Sequence, residues 1–127
     1  MDVHEGDELN WFVMVDGDRV GDSLDAASIA GDHRTLVQAS RTIDAERDVI
    51  ARRIRQASGE VILSTSDVVL AKFEDRIPSD SLDLTTECYT WSAGQGPDLR
   101  CAHAALAIAK TRRRGAFITV LAFDDLD

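Results

Sequence analysis

The sequence predicts an α+β fold: an antiparallel sheet of about five strands with two main helices on one face. Three observations lead there. Short apolar or alternating runs recur at 10–16, 60–64, 68–73, 87–93 and 116–123, each the length of a strand. Two longer segments, 33–58 and 98–113, repeat apolar residues at helical steps instead. The order reads strand, helix, strand, strand, short helix, strand, helix, strand, in which long helices alternate with strands around one sheet. At 127 residues the chain fits a single domain, 1–127, with enough residues for a core.

Each element has its own justification. Residues 1–8 and 124–127 read as flexible acidic ends. The first strand rests on the run Trp11 to Val15 and ends in Asp16-Gly17-Asp18. Residues 17–32 hold Gly17, Gly21 and Gly31 among Asp, Ser and Ala, and read as a loop with one helical turn near Leu24–Ile29. From His33 to Ser58, the residues Leu36, Val37, Ile43, Ile50, Ile54 and Ala57 form one apolar stripe. Arg52, Arg53 and Arg55 crowd its last turns, where cations offset the helix dipole, and Gly59 stands where a cap is expected. The strands 60–64 and 68–73 flank the polar turn Ser64-Thr65-Ser66-Asp67, which fits a hairpin. Residues 74–86 carry Pro78 and many turn formers, with a short helix after Pro78 and Leu82 and Leu84 turned inward. Glu87 to Ala93 alternates and is rich in aromatic and β-branched residues, so it reads as a strand. Gly94-Gln95-Gly96-Pro97 reads as a break before the helix Asp98 to Arg113, which sets Leu99, Ala102, Leu106 and Ala109 on one face. Arg112, Arg113 and Arg114 at its end read as a solvated helix terminus, and the last strand is Ala116 to Phe123.

Composition narrows the function. The net charge of −9 repels duplex nucleic acid and anionic membranes, and no apolar run is long enough to span a bilayer. An acidic chain still accepts a nucleotide, because Mg²⁺ bridges carboxylates to phosphates. The acidic start, without a charged-then-apolar leader, points to the cytoplasm. Cys88 and Cys101 are too few and too far apart for a zinc motif.

In the strand order above, a β-α-β-β-α-β ferredoxin-like core with an added strand, the first strand lies beside the hairpin strand. The end of that strand and the hairpin turn then meet at one edge. Asp16 and Asp67 would sit close together, which favours a metal pair, with Asp67 as an ordinary turn former the open alternative.

These residues resemble a family. Asp16-Gly17-Asp18-Arg19-Val20-Gly21-Asp22 looks like the first acidic motif of the palm domains of GGDEF-type diguanylate cyclases and of the type III CRISPR polymerase subunit. Ser64-Thr65-Ser66-Asp67-Val68-Val69-Leu70-Ala71 falls where those proteins carry Gly-Gly-Asp-Asp and apolar residues. Tyr89 to Gly96 resembles their Ser-x-Gly strand end, and Ala109-Lys110 before Gly115 resembles their Ala-Lys-x-x-Gly helix end with longer spacing. The short chain is most similar to the minimal CRISPR polymerases, mCpol. The resemblance covers about residues 10–122.

It implies a ferredoxin-like palm domain and a nucleotidyltransferase that makes a cyclic dinucleotide from ATP with two Mg²⁺ (or Mn²⁺) ions. Asp16 and Asp67 would be catalytic and hold the metals, helped by the Gly17 carbonyl and by Asp18. Lys110 would meet the triphosphate, with Thr65, Ser66 and Gly21 also at the nucleotide. The product would control a separate cyclic-nucleotide-responsive effector in an antiphage system. Two NTPs must be presented to each other, which calls for a homodimer or a second nucleotide pocket on the same domain. Thr65 and Ser66 replace the two family glycines, so a positive φ there becomes costly, and Val68 replaces the second acid. Two alternatives stay open on the residues alone: a degenerate palm that binds nucleotide or a partner protein without turnover, and a plain interaction module whose acidic turns serve solubility.

Overall fold

The computed structural model describes residues 10–122. Eight elements follow along the chain: β1 (Trp11–Gly17), α1 (Val20–Ile29), α2 (His33–Gln56), β2 (Glu60–Thr65), β3 (Val68–Phe73), β4 (Trp91–Gly96), α3 (Leu99–Lys110) and β5 (Phe117–Thr119). The strands form one sheet in the order β2-β3-β1-β4-β5. The α+β class, the five strands and the placement of β1 beside the hairpin strand β3 all agree with the sequence reading. The terminal segments 1–8 and 124–127 lie outside the described residues. No helix among the described residues is long and apolar enough to cross a membrane.

Two features differ from the expected layout. The sheet is mixed, because β5 runs parallel to β4. The main helices lie on opposite faces, and the strand register shows it. Val13 and Val15 oppose Ala71 and Val69 on β3 and Gln95 and Ala93 on β4, so this set shares one face. It packs with Ile50 and Ile54 of α2. Met14 opposes Gly94, so Met14 and Gly94 share the other face. A Cβ on Gly94 would lie 2.1 Å from the Leu106 backbone nitrogen, so α3 covers that side. The cause is the parallel β4-α3-β5 crossover, an extra unit added outside the four-stranded core.

The missing second helix on the α2 face is replaced by irregular chain. Residues 74–90 form no helix after Pro78. Leu82 and Leu84 still turn into the core as expected. Side chains from regular elements satisfy the backbone of this segment. Gln95, fully buried, accepts from Ile77 N at 2.9 Å and donates to Ile77 O at 3.0 Å. Arg53 donates to the carbonyls of Asp83 and Thr85 at 2.8 and 2.7 Å. Glu46, also buried, accepts from Cys88 N at 2.8 Å, Tyr89 N at 3.1 Å and the Thr86 hydroxyl.

Other boundaries shift for local reasons. Where one helical turn was expected, α1 is a ten-residue helix. It ends in a Schellman cap, with Gly31 at φ 68 and Asp32 N bonded to Ala27 O at 3.0 Å. The strand expected at 87–93 is instead β4 at Trp91–Gly96, and it absorbs the two glycines read as a break. The helix expected to reach Arg113 ends at Lys110, and Leu99 on it is exposed rather than inward. The last strand is three residues long.

The cap of α2 also moves. Ser58, not Gly59, takes the left-handed position, at φ 73, and Gly59 N bonds Ile54 O at 2.9 Å. Gly59 is needed for space, since a Cβ there would lie 2.6 Å from both Ile54 and Phe73. Ser58→Gly is therefore expected to raise stability by about 1 kcal/mol, read as a higher urea midpoint at constant m. A lower midpoint would refute the strain at Ser58.

Candidate active site

The site forms where β1 ends between the β2–β3 hairpin turn and the end of α3. Asp16 pairs across to Val68 on β3 and to Ser92 on β4. Gly17 N donates to Asp67 O at 3.0 Å, so the turn is stitched to the strand end. Asp67 packs against this strand end, 3.4 Å from where a Cβ on Gly17 would lie, and its carboxyl acts on that of Asp16. Burial and the neighbouring Asp67 raise the Asp16 pKa from 3.8 to about 6, against the opposing pull of Lys110.

Lys110 enters from the last turn of α3. Its ammonium donates to Gly17 O at 2.9 Å and to Asp16 O at 3.3 Å. It also pairs with Asp16 Oδ1 at 3.4 Å and Asp18 Oδ1 at 3.3 Å. A single cation thus bridges the Asp16 and Asp18 carboxylates and two strand-end carbonyls.

Asp18, expected as a further metal carboxylate, is already occupied by protein donors. Its side chain is 6% exposed. Ser92 Oγ donates to it at 2.6 Å, Thr90 Oγ1 at 2.7 Å and Gly115 N at 2.8 Å. Burial alone would raise its pKa, but these hydrogen bonds and Lys110 outweigh burial and hold it below the usual carboxylate range. Asp18 therefore ties β1, β4, α3 and the approach to β5 together, with no oxygen free for a metal. Its depressed folded pKa contributes stability that is complete above the unfolded pKa and lost as pH falls through the folded one. Asp18→Asn is expected to cost about 2 kcal/mol at pH 7, and nothing at a pH low enough to protonate Asp18 in the fold. A denaturation series against pH checks this, and a pH-independent loss would contradict it.

The remaining expected residues divide. Thr65 and Ser66 sit at the hairpin turn beside Asp67; Ser66 holds φ 51, the left-handed conformation that the absent glycine would have eased. Its hydroxyl lies 3.5 Å from Asp67 Oδ1. Gly21 lies one residue into α1, exposed, with nothing within 4 Å of a would-be Cβ. The structure brings Gly21 to no site residue.

Arg112, Arg113 and Arg114 read as a solvated helix end, and all three are exposed just past α3. Sequence reasoning missed that with Arg19 and Lys110 they also line a cavity of about 270 Å³, walled by Asp18 and Ser92. The run of three arginines two residues after Lys110 was the available signal. In a chain of net charge −9, this cluster concentrates positive charge beside Asp18.

The donor set fits Mg²⁺. No group of three or more metal-ligating side chains occurs among the described residues. Mg²⁺ does not need one: it is commonly held by one or two carboxylates and completed by substrate phosphates and water. Asp16 and Asp67 supply such a pair; burial first, and Asp67 after it, raises the Asp16 pKa, with Lys110 opposing.

Residues 12–120 match a protein family described as mCpol, minimal CRISPR polymerase domain. No curated protein matches the chain.

Proposed function

The chain belongs to the mCpol family, the minimal CRISPR polymerases, and from that premise we propose that it is a Mg²⁺-dependent nucleotidyltransferase that joins two ATP molecules into a cyclic dinucleotide. Family membership gives the coarser statement, a polymerase-like nucleotidyltransferase role. The finer reading rests on one observation: the Asp16–Asp67 carboxylate pair stands beside a cavity carrying Lys110 and the arginines 112–114.

Asp16 and Asp67 would hold the metal. The bound ion would supply Lewis-acid stabilisation of the phosphoryl oxygens and favour the ionised ribose hydroxyl. The chain's own residues do the rest. Arg112, Arg113 and Arg114 bind and orient the triphosphate and offset the charge gathering on the departing pyrophosphate. Lys110, held on the Gly17 carbonyl, keeps positive charge against Asp16. Asp18 fixes Lys110 and the strand end in register. Since Asp18 is committed, a second ion would rest on Asp16, Asp67 and the substrate's phosphates. Two such sites must face each other to close a ring, which calls for a homodimer. The product would signal to a separate effector in antiphage defence.

One observation favours a second reading, a palm that binds nucleotide without turnover. Val68, an apolar residue, opposes Asp16 where the family carries its second acid. Incubation with each NTP and Mg²⁺ or Mn²⁺, followed by detection of pyrophosphate and cyclic product, separates the two. Nucleotide binding without product under every condition would establish the second reading and overturn the first.

A further inference from the structure

Two unfavourable features meet at one contact behind the site. Ser66 holds a left-handed φ of 51 without being glycine. Arg47 of α2 donates from Nη1 to the Ser66 carbonyl at 3.1 Å. The Arg47 side chain is only 15% exposed, and its Nε is buried with no hydrogen-bond partner. A buried donor left unpaired and a strained backbone are both costly, and folds tolerate such costs chiefly where geometry serves function.

The geometry names that function. The Ser66 carbonyl belongs to the peptide that leads into Asp67, so fixing it fixes the direction in which the Asp67 side chain departs. On its other side Asp67 is fixed by its own carbonyl, which accepts from Gly17 N at 3.0 Å. The guanidinium is steadied in turn by Asp44 at 2.9 Å and Asp48 at 3.4 Å, both on exposed side chains of the same helix. We propose that Arg47 is a positioning residue: from the opposite face of the sheet it holds the hairpin turn so that the Asp67 carboxylate meets Asp16. This rests on the reading of Asp16 and Asp67 as the metal pair. Arg47 itself touches neither metal nor nucleotide.

The test is a Mn²⁺ titration of the full chain, without nucleotide, alongside thermal melts. Arg47→Met keeps the length of the side chain and removes both the tether and the orphaned donor. It is expected to weaken Mn²⁺ binding about tenfold or more, as loss of a group that orients a metal ligand does, with little or no fall in Tm. Arg47→Lys can still donate to the Ser66 carbonyl and should recover part of the affinity. A purely structural role would lower Tm and leave the affinity of the folded fraction unchanged. Equal Mn²⁺ affinity in wild type and Arg47→Met overturns the proposal and leaves the metal pair standing. If wild type binds no Mn²⁺, the metal pair itself fails and this proposal falls with it. Should Arg47→Met not fold, Asp44→Asn with Asp48→Asn loosens the guanidinium through exposed positions. At about 0.3 M salt, which screens the lost surface charge, it must weaken Mn²⁺ binding severalfold. Unchanged binding there also overturns the proposal.

Discussion

Asp16→Asn is expected to abolish metal-dependent turnover, by on the order of 10³-fold or more, while making the protein more stable above pH 6. The two effects share one cause. Asp16 is held in a half-buried site beside Asp67, which raises its pKa to about 6. A carboxyl whose folded pKa lies above its unfolded value binds its proton more tightly in the fold. It contributes stability that is fully present below pH 3.8 and lost as pH rises through about 6. The rise converts to about 3 kcal/mol at full strength. With the side chain 29% exposed, solvent screening reduces this to about 1–2 kcal/mol. Asparagine keeps the shape and never carries the charge, so the variant should gain that amount at pH 7.5 and nothing near pH 3. Added Mg²⁺ should close the gap by stabilising wild type alone. Urea midpoints at pH 3, 5 and 7.5, with and without Mg²⁺, read all of this. A variant less stable than wild type at pH 7.5 would contradict the strained acid pair; one that still turns over NTP would remove Asp16 from the chemistry.

Gly94→Ala is expected to cost about 3 kcal/mol, the upper end for overpacking, because nothing near it is free to yield. The added Cβ would lie 2.1 Å from Leu106 N, 2.4 Å from Ala102 O and 2.7 Å from Leu106 Cα. All three belong to the helix backbone, so α3 must move as a body away from β4. That helix carries Lys110 to Asp16, so the displacement should also weaken the site. Gly21→Ala is the control, since nothing lies within 4 Å of its would-be Cβ and it sits within a helix. It should gain a few tenths of a kcal/mol or more. Equal effects at the two positions would refute the close-packing account.

Gly94 also shows where sequence reading stopped. A glycine beside Gln95, Gly96 and Pro97 carries every local mark of a break, and the marks are misleading here. The reason the strand contains glycine is a helix some ten residues later in the chain, and no local pattern encodes that approach. The α1 helix was lost the same way: Gly21 and the acidic residues around it weaken its pattern, yet Arg19 enters it in a left-handed conformation. The parts that were legible had short-range grammar. The α2 stripe, the hairpin strands and the convergence of Asp16 with Asp67 follow from periodicity and strand order. Asp18 was legible as an acid but not as a committed one, because its donors Thr90, Ser92 and Gly115 arrive from distant segments. The arginines 112–114 looked like a helix end, because a charge run shows its sign but not the cavity it lines.

The distance between Asp18 and its partners shapes how the protein comes to be competent. Ser92 and Gly115 lie 74 and 97 residues away along the chain. Pairings so remote close large loops, and they form after helices and hairpins, which are local and fast. The β2–β3 hairpin forms locally, but its docking on β1 is itself remote, and Lys110 and Asp18 lock only when β4, α3 and the approach to β5 have docked. A partly folded chain would therefore hold the hairpin without the assembled site. Assembly of the site becomes a late, cooperative step, and the amides of Asp18 and Gly115 should exchange with solvent as one unit.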